Sequence, residues 1–269
     1  MILTIDDDLD LNKIAESGQC FRMRQREDET DAGSWLLITG RSAAWIRQIG
    51  DDTFDIDCGQ NEFDRVFRPY LDLDTNYRKI RESLDLDPFL KQAAEAASGL
   101  RILRQDLFET LITFILSQRK SIPAIRKNVE ALCESYGDRI RDDLYTFPEP
   151  QKLKDIPEDT YRTMGFGYRA PYVRDAALQA ANGILKGTQD LDDDALLQCL
   201  MEIKGVGIKV ASCTALFACH RLGLAPVDTW IQKVIDKVYQ GTNPFPDYGP
   251  YAGLLQQYVF YWCIHGGKI

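Results

Sequence analysis

The spacing of apolar residues changes once along the chain. Up to about residue 60 the apolar stretches are short. Ile2–Ile5 comes first, Trp35-Leu36-Leu37-Ile38-Thr39 runs into Gly40, and Ala43-Ala44-Trp45-Ile46 follows within a few residues. Phe54-Asp55-Ile56-Asp57 alternates at period two. Short apolar runs punctuated by Gly and Asp predict an antiparallel sheet, with the polar stretch Arg26 to Gly33 as a solvated hairpin loop. From about Asn61 the period becomes helical and is expected to stay so to the end. Phe108, Leu111, Ile112, Ile115 and Leu116 fall at i, i+3, i+4, i+7 and i+8, one buried face of a helix. A second helix runs through Ile122, Ile125, Val129 and Leu132 to about Gly137, and Pro148 and Pro150 then break the chain. Further helices are expected over about 170–187, 192–201, 209–222, 229–239 and 251–265. The fold class this predicts is α+β: an N-terminal antiparallel sheet domain over residues 1–100 with flanking helices, then a helical region over 101–269.

Composition adds exclusions. At 45% apolar and 27% charged, the 269 residues can build a core, which rules out whole-chain disorder. No apolar run approaches the roughly 20 residues of a membrane helix. Asp6, Asp7 and Asp8 stand where a signal peptide would be basic, so secretion is not expected. Seven cysteines in no compact pattern suit reduced thiols in a cytoplasm. The net charge of -9 is unevenly spread: residues 1–100 hold 21 acidic and 12 basic side chains, and the remainder holds 20 of each. A nucleic-acid partner is therefore not excluded, because phosphate contacts need only a few well-placed cations.

The most informative local feature is Met201-Glu202-Ile203-Lys204-Gly205-Val206-Gly207-Ile208-Lys209. Two glycines spaced by one residue between two helices, over about 192–222, permit positive φ and close backbone approach at both positions. The second helix then starts with unbonded N–H groups at the positive end of its dipole, a ready phosphate site. A plain tight helix–helix connection has the same composition. Nineteen residues on, Ala225-Pro226-Val227-Asp228 places Asp228 as the N-cap of the next helix, and a cap alone would also account for it.

Together these residues resemble the helix-hairpin-helix base-excision DNA glycosylases, and more narrowly the 8-oxoguanine DNA glycosylase family. The likeness extends to Ser17-Gly18-Gln19-Cys20-Phe21-Arg22, Leu103-Arg104-Gln105-Asp106, Gly165-Phe166-Gly167-Tyr168-Arg169-Ala170, and Ala252-Gly253 with Gln256 and Phe260, all in family order. It implies a sheet domain and two mostly helical domains around a pocket for a base turned out of the helix, since the glycosidic bond is unreachable inside the stack. It also implies that Lys209 attacks the sugar C1′ and forms a Schiff base, followed by β-elimination. The helix dipole and an apolar pocket would both disfavour the ammonium form. Asp228 is implied to stabilise the oxocarbenium-like charge.

Cys213 and Phe260 are implied to hold the two faces of the base, Gln256 to read its Watson–Crick edge, and the Gly18 carbonyl to accept from N7–H of 8-oxoguanine. A buried thiol, a core phenylalanine and a surface amide are the ordinary alternatives for the first three. Tyr168 is implied as a wedge and Arg169 as the contact to the orphaned cytosine. Gln118, Arg119, Lys120, Lys204, Gly205 and Gly207 complete the expected DNA contacts.

Several positions depart from the family. Arg119 and Lys120 stand where asparagines are usual, Cys20 where serine is, Lys204 where proline is, and Trp230, counted with the base-binding set, where better-known members carry histidine. An indole does not titrate near neutral pH, so a histidine's role does not transfer to it. Only Cys263 follows Asp228, which excludes the four-cysteine cluster of related glycosylases. No metal site and no cofactor are expected, with a monovalent cation at the hairpin left open. The expected partner is double-stranded DNA containing oxidised guanine, engaged by a monomer with no membrane association. The expected location is the cytoplasm, with the nucleoid if the source is bacterial, or the nucleus if eukaryotic. A monofunctional alkyl-base glycosylase, disfavoured by Lys209, and a non-catalytic DNA-binding module are the alternatives.

Overall fold

The computed structural model describes residues 1–26 and 33–269. The loop expected between Arg26 and Gly33 lies mostly outside the described residues. Strands β1 (Ile2–Thr4), β2 (Arg24–Gln25), β3 (Trp35–Thr39), β4 (Ser42–Gln48) and β5 (Thr53–Ile56) form one sheet in the order β1-β5-β4-β3-β2. β1 and β2 pair antiparallel with β5 and β3, as does β4 with β5. The period-two pattern does what it predicts: Phe54 and Ile56 are buried while Asp55 between them is not. The α+β class read from the sequence holds. No helix of the described residues is long and apolar enough to cross a membrane.

The chain divides into two compact units. The first comprises residues 1–36, 44–104 and 220–269, and the second 37–43 and 105–219. One division falls near residue 104. Another, at 219/220, returns the last fifty residues to the unit that holds the N-terminus, whereas the sequence expectation carried the helical region on unbroken.

In the first unit the helix Ala252–Ile264 packs on Pro88–Ala96 and Thr229–Lys237. Leu254, Leu255, Tyr258 and Val259 are fully buried there. The acidic start of the chain is structural. Asp7 accepts the backbone N–H groups of Tyr77 and Arg78, both at 2.8 Å, at the N-terminus of the helix Tyr77–Ser83, and Asp8 pairs with Arg81 at 2.8 Å. Arg101, fully buried, donates to Asp7 at 3.1 Å and to the Asp72 carbonyl at 3.0 Å. The Asp72 carboxylate accepts from Arg104 Nε at 2.7 Å and Tyr77 OH at 2.8 Å, with His220 Nε2 at 3.2 Å. Burial pushes the Asp72 carboxyl up, but bonds and charge from His220, then bonds from Arg104 and Tyr77, outweigh it and hold the group well below the usual carboxylate range.

In the second unit the helix Leu107–Ser117 is buried from Thr110 to Leu116 and packs against Ile208–Phe217, Ala170–Ala181 and Ile122–Tyr136. Asp106 caps its start through Glu109 N at 2.8 Å, and Asp192 caps Asp193–Met201 through Ala195 N at 2.8 Å. The chain does not stay helical after residue 61. Strands β6 (Arg139–Arg141) and β7 (Leu144–Tyr145) form a small hairpin whose turn holds Asp142 at φ 42°. Two helices also end earlier than expected, at Ala181 and Phe217.

Candidate active site

The expected site residues fall on both units: Lys209, Cys213, Gln118, Arg119, Lys120, Tyr168, Arg169, Lys204, Gly205 and Gly207 on the second, and Gly18, Asp228, Trp230, Gln256 and Phe260 on the first.

On the second unit, the turn between Asp193–Met201 and Ile208–Phe217 uses its two glycines differently. Gly205 has φ 82°, and an added Cβ would lie 2.3 Å from Cγ of Tyr172, so both conformation and space require glycine. Gly207, expected to share that freedom, is extended at φ -98°, ψ 177°. It needs no glycine for its own backbone, but nothing lies within 4 Å of the Cβ position, which leaves the helix start open to an approaching group. No side chain caps this helix. Lys209, in its first turn, is half-buried with Nζ 5.2 Å from the centroid of the Phe114 ring. Among the described residues the Lys209 side chain makes no hydrogen bond or ion pair. Cys213 lies one turn on, 4% exposed. Lys204 is exposed, while its backbone N–H donates to Asp175 Oδ2 at 2.9 Å.

The turn after Leu107–Ser117 is tightly built. Gln118 Nε2 donates to the Gly205 carbonyl at 3.1 Å, which braces this turn on the hairpin. Arg169, expected at the orphaned cytosine, is 6% exposed. Its Nε donates to the Gln118 carbonyl at 2.8 Å, Nη2 to the same carbonyl and to that of Arg119 at 3.3 Å, and Nη1 to the Phe166 carbonyl at 3.3 Å. Lys120, also expected at DNA, turns inward: Nζ donates to Asn128 Oδ1 and to the Gly165 carbonyl at 3.0 Å. Burial, then the Arg169 charge, lowers its pKa from the ordinary lysine value. Tyr168 remains 47% exposed, with Arg169 4.3 Å from its ring centroid.

On the first unit, Gly18 follows the helix Leu11–Glu16 in the left-handed conformation, φ 72°. Its flanks are pinned. Gln257 Nε2 donates to the Ser17 carbonyl at 2.6 Å, and Gln19 Nε2 donates to the Arg101 carbonyl at 2.8 Å while its Oε1 accepts Leu103 N at 2.9 Å. The first of these bonds ties the Gly18 turn to the helix that carries Gln256 and Phe260. Phe260 is half-buried and Gln256 4% exposed, and Oε1 of Gln256 is buried with no hydrogen-bond partner among the described residues.

Asp228 caps Thr229–Lys237 as expected, one oxygen, Oδ1, accepting from Trp230 N and Ile231 N at 2.9 Å each. Oδ2 makes no hydrogen bond among the described residues. Burial, then the Asp228 charge, pushes the thiol of Cys263 up to about 11. Trp230 is 36% exposed with Lys233 Nζ 4.5 Å over its indole.

Sequence reasoning did not foresee Tyr172 under the hairpin, Phe114 beside the lysine, Asn128 on Lys120, or Gln257 on the Gly18 turn. Gln257, a second amide in an otherwise apolar helix, carried the only legible signal.

A sheet followed by helices, with a glycine turn ahead of an unpaired lysine and a capping aspartate after it, defines a class. The family model described as HhH-GPD superfamily base excision DNA repair protein matches residues 112–248, and that of the 8-oxoguanine DNA glycosylase N-terminal domain matches residues 1–111. The chain is 30% identical over 261 residues to an N-glycosylase/DNA lyase of Saccharomyces cerevisiae, covering 87% of this chain and 69% of that one. Among solved structures, MBOgg1 in complex with a low-affinity DNA ligand superposes with a TM-score of 0.91 at 35% identity, over 99% of this chain and 96% of that one. Clostridium acetobutylicum 8-oxoguanine glycosylase/lyase, in complex with double-stranded DNA containing cytosine opposite 8-oxoguanine, superposes with a TM-score of 0.89 at 30% identity, over 98% of both chains. The chain belongs to the 8-oxoguanine DNA glycosylase family of the HhH-GPD superfamily.

Proposed function

We propose that this chain excises 8-oxoguanine from duplex DNA and then cuts the strand, with Lys209 as nucleophile and Asp228 as its electrostatic partner. The observation that carries the reading is Lys209 itself. It sits in the first turn behind the glycine hairpin, half-buried, with no bond or ion pair among the described residues to compete for its amine. In the step proposed, the Nζ lone pair forms a bond to C1′ while the C1′–N9 pair leaves with the base, which takes up a proton. Nζ gives up its own proton, the sugar ring opens with O4′ protonated, and an iminium results. Loss of a 2′ proton then expels the 3′ phosphate. Asp228 is suited to stabilise charge at C1′ because capping occupies only Oδ1. The chemistry needs no cofactor.

Two first-unit features support guanine-type selectivity. The partnerless Gln256 Oε1 is an acceptor, and a guanine-type edge offers N1–H and N2–H donors where adenine presents N1 as an acceptor. The pinned Gly18 turn presents a backbone carbonyl, the acceptor that would reward N7–H of the oxidised base. Cys213 and Phe260 take the two faces of the base. Tyr168, Lys204, Gly205, Gly207 and the 118–120 turn face the DNA, and the enzyme works wherever its genome lies, nucleoid or nucleus. The test is borohydride trapping on a duplex with 8-oxoguanine opposite cytosine. A covalent band is expected with the native chain and none with Lys209→Gln, although that variant still binds. A band that survives the substitution removes Lys209 from the mechanism, and no band from the native chain favours a non-catalytic module.

A further inference from the structure

The five-stranded sheet of the first unit ends at β1, and the pairing there leaves one side of the strand open. Ile56 N donates to the Met1 carbonyl at 2.9 Å, and Ile5 N donates to the Asp52 carbonyl at 2.8 Å. Ile2 stands opposite Asp55, Leu3 opposite Phe54 and Thr4 opposite Thr53. In that register Met1, Leu3 and Ile5 turn their backbone groups toward β5, and Ile2 and Thr4 turn theirs away from it. Among the described residues nothing takes up the N–H and C=O groups of Ile2 and Thr4. Both residues are exposed, Ile2 at 59%, while Leu3 between them is buried.

Open backbone groups of this kind pair readily with another extended chain, and sheets commonly guard such an edge with lysine, proline or a bulge. β1 has none of these; only its three-residue length limits it. Beside it lies a groove of about 340 Å³, walled by Leu3, Thr4 and Ile5 of the strand and by Gln60, Phe63 and Asp64 beyond. The groove is acidic: Asp6, Asp7, Asp64 and Asp74 line it against one cation, Arg68. Three of the four carboxylates are engaged. Asp7 accepts from the N–H groups of Tyr77 and Arg78 and from Arg101, Asp6 pairs with Arg78 at 3.2 Å, and Asp74 pairs with Arg68 at 2.7 Å. Asp64 holds the Gln60 amide at 2.9 Å and no cation among the described residues.

We propose that this groove docks an extended, lysine- or arginine-bearing segment of another protein, which adds to the sheet as a sixth strand along β1. Main-chain bonds to Ile2 and Thr4 would supply affinity for any extended segment, and Asp64 with its acidic neighbours would select cationic side chains at alternate positions. A second copy of this chain is a poor occupant. Pairing β1 with β1 would bring two acidic grooves together on chains that each carry a net charge of -9. The same carboxylates repel a nucleic-acid backbone. The proposal is independent of the chemistry at Lys209.

The experiment uses the full chain and three end-blocked peptides of six residues, each about 20 Å when extended. One alternates lysine with valine, one has glutamate for each lysine, and one has proline for each valine. Affinity is read by fluorescence anisotropy of the labelled peptide, and the site by amide hydrogen exchange of the isotope-labelled chain. The lysine–valine peptide should bind and slow exchange at the Ile2 and Thr4 amides at least about tenfold, as newly bonded amides do. The glutamate and proline peptides should bind at least about tenfold more weakly, one lacking the charge and the other the strand donors. Asp64→Asn combined with Asp74→Asn, both on the exposed rim, should weaken the lysine–valine peptide about three- to tenfold, as loss of two surface ion pairs would. The proposal is overturned if about 1 mM lysine–valine peptide does not bind, if it binds without protecting Ile2 and Thr4, or if the glutamate peptide binds equally well. It is overturned as well if the double variant keeps native affinity, or if those two amides become protected in the chain alone as its concentration rises, which would make a second copy the occupant.

Discussion

Asp228 caps a helix and is proposed to act in excision, and one substitution separates the two tasks. In Asp228→Asn the amide oxygen can still accept from Trp230 N and Ile231 N, because a single oxygen makes both bonds. The cap survives, and what is lost is a charge at a helix N-terminus, about 0.3–1 kcal/mol in a partly exposed setting. For a chain of this size that amounts to about 1–4 °C in melting temperature. The chemical effect should be much larger: removing the group that faces charge developing at C1′ should slow excision at least about a hundredfold, or about 2.7 kcal/mol. Asp228→Ala, which deletes the cap as well, should cost about 1 kcal/mol more in stability with little further loss of rate. Single-turnover excision and thermal unfolding, measured on the same preparations, give both numbers. Cys263 supplies an internal check. Asp228 is the second cause, after burial, of its raised pKa of about 11, so the thiol titration of Asp228→Asn should move down while staying above an ordinary cysteine. If Asp228→Asn loses stability in step with activity, and the activity per folded molecule is near native, Asp228 is a cap and nothing more.

Two other expectations concern the scaffold. Gly205→Ala sets a Cβ against the Tyr172 ring at a position with φ 82°, so it should destabilise by about 2–3 kcal/mol and weaken duplex binding, whereas Gly207→Ala, with open space, should leave stability nearly unchanged. A Gly207→Ala variant as unstable as Gly205→Ala would refute this account of the hairpin. Asp72, whose carboxyl is held below the ordinary range, contributes stability that is full above its unfolded value near pH 4 and is lost as pH falls through the lower folded value. Asp72→Asn should cost about 3 kcal/mol at neutral pH by leaving Arg104 and His220 without their buried partner, and the gap to the native chain should narrow in acid melts. A gap constant down to pH 2 would show that the charge of Asp72 is immaterial.

Periodicity and capping chemistry are local, and they determined much of this molecule in advance. The apolar stripe from Phe108 to Leu116, the cap at Asp228, the alternation at Phe54–Ile56 and the glycine turn before Lys209 each depend on residues a few positions apart, so the chain states them outright. Tertiary structure decided where the partners are distant. Nothing near Arg169 in sequence says that its guanidinium is bound by carbonyls some fifty residues back, or that Lys120 meets Gly165 forty-five residues on. An exposed cation and a buried, satisfied one look identical as letters. The same holds for Gly205, whose need for glycine comes as much from the ring of Tyr172 as from its own backbone, and for Asp7, which caps a helix seventy residues away. Local propensity fixes which face of an element is apolar; only the packed chain decides what that face and its polar neighbours meet, because burial and hydrogen bonding are settled by long-range contacts that no period records.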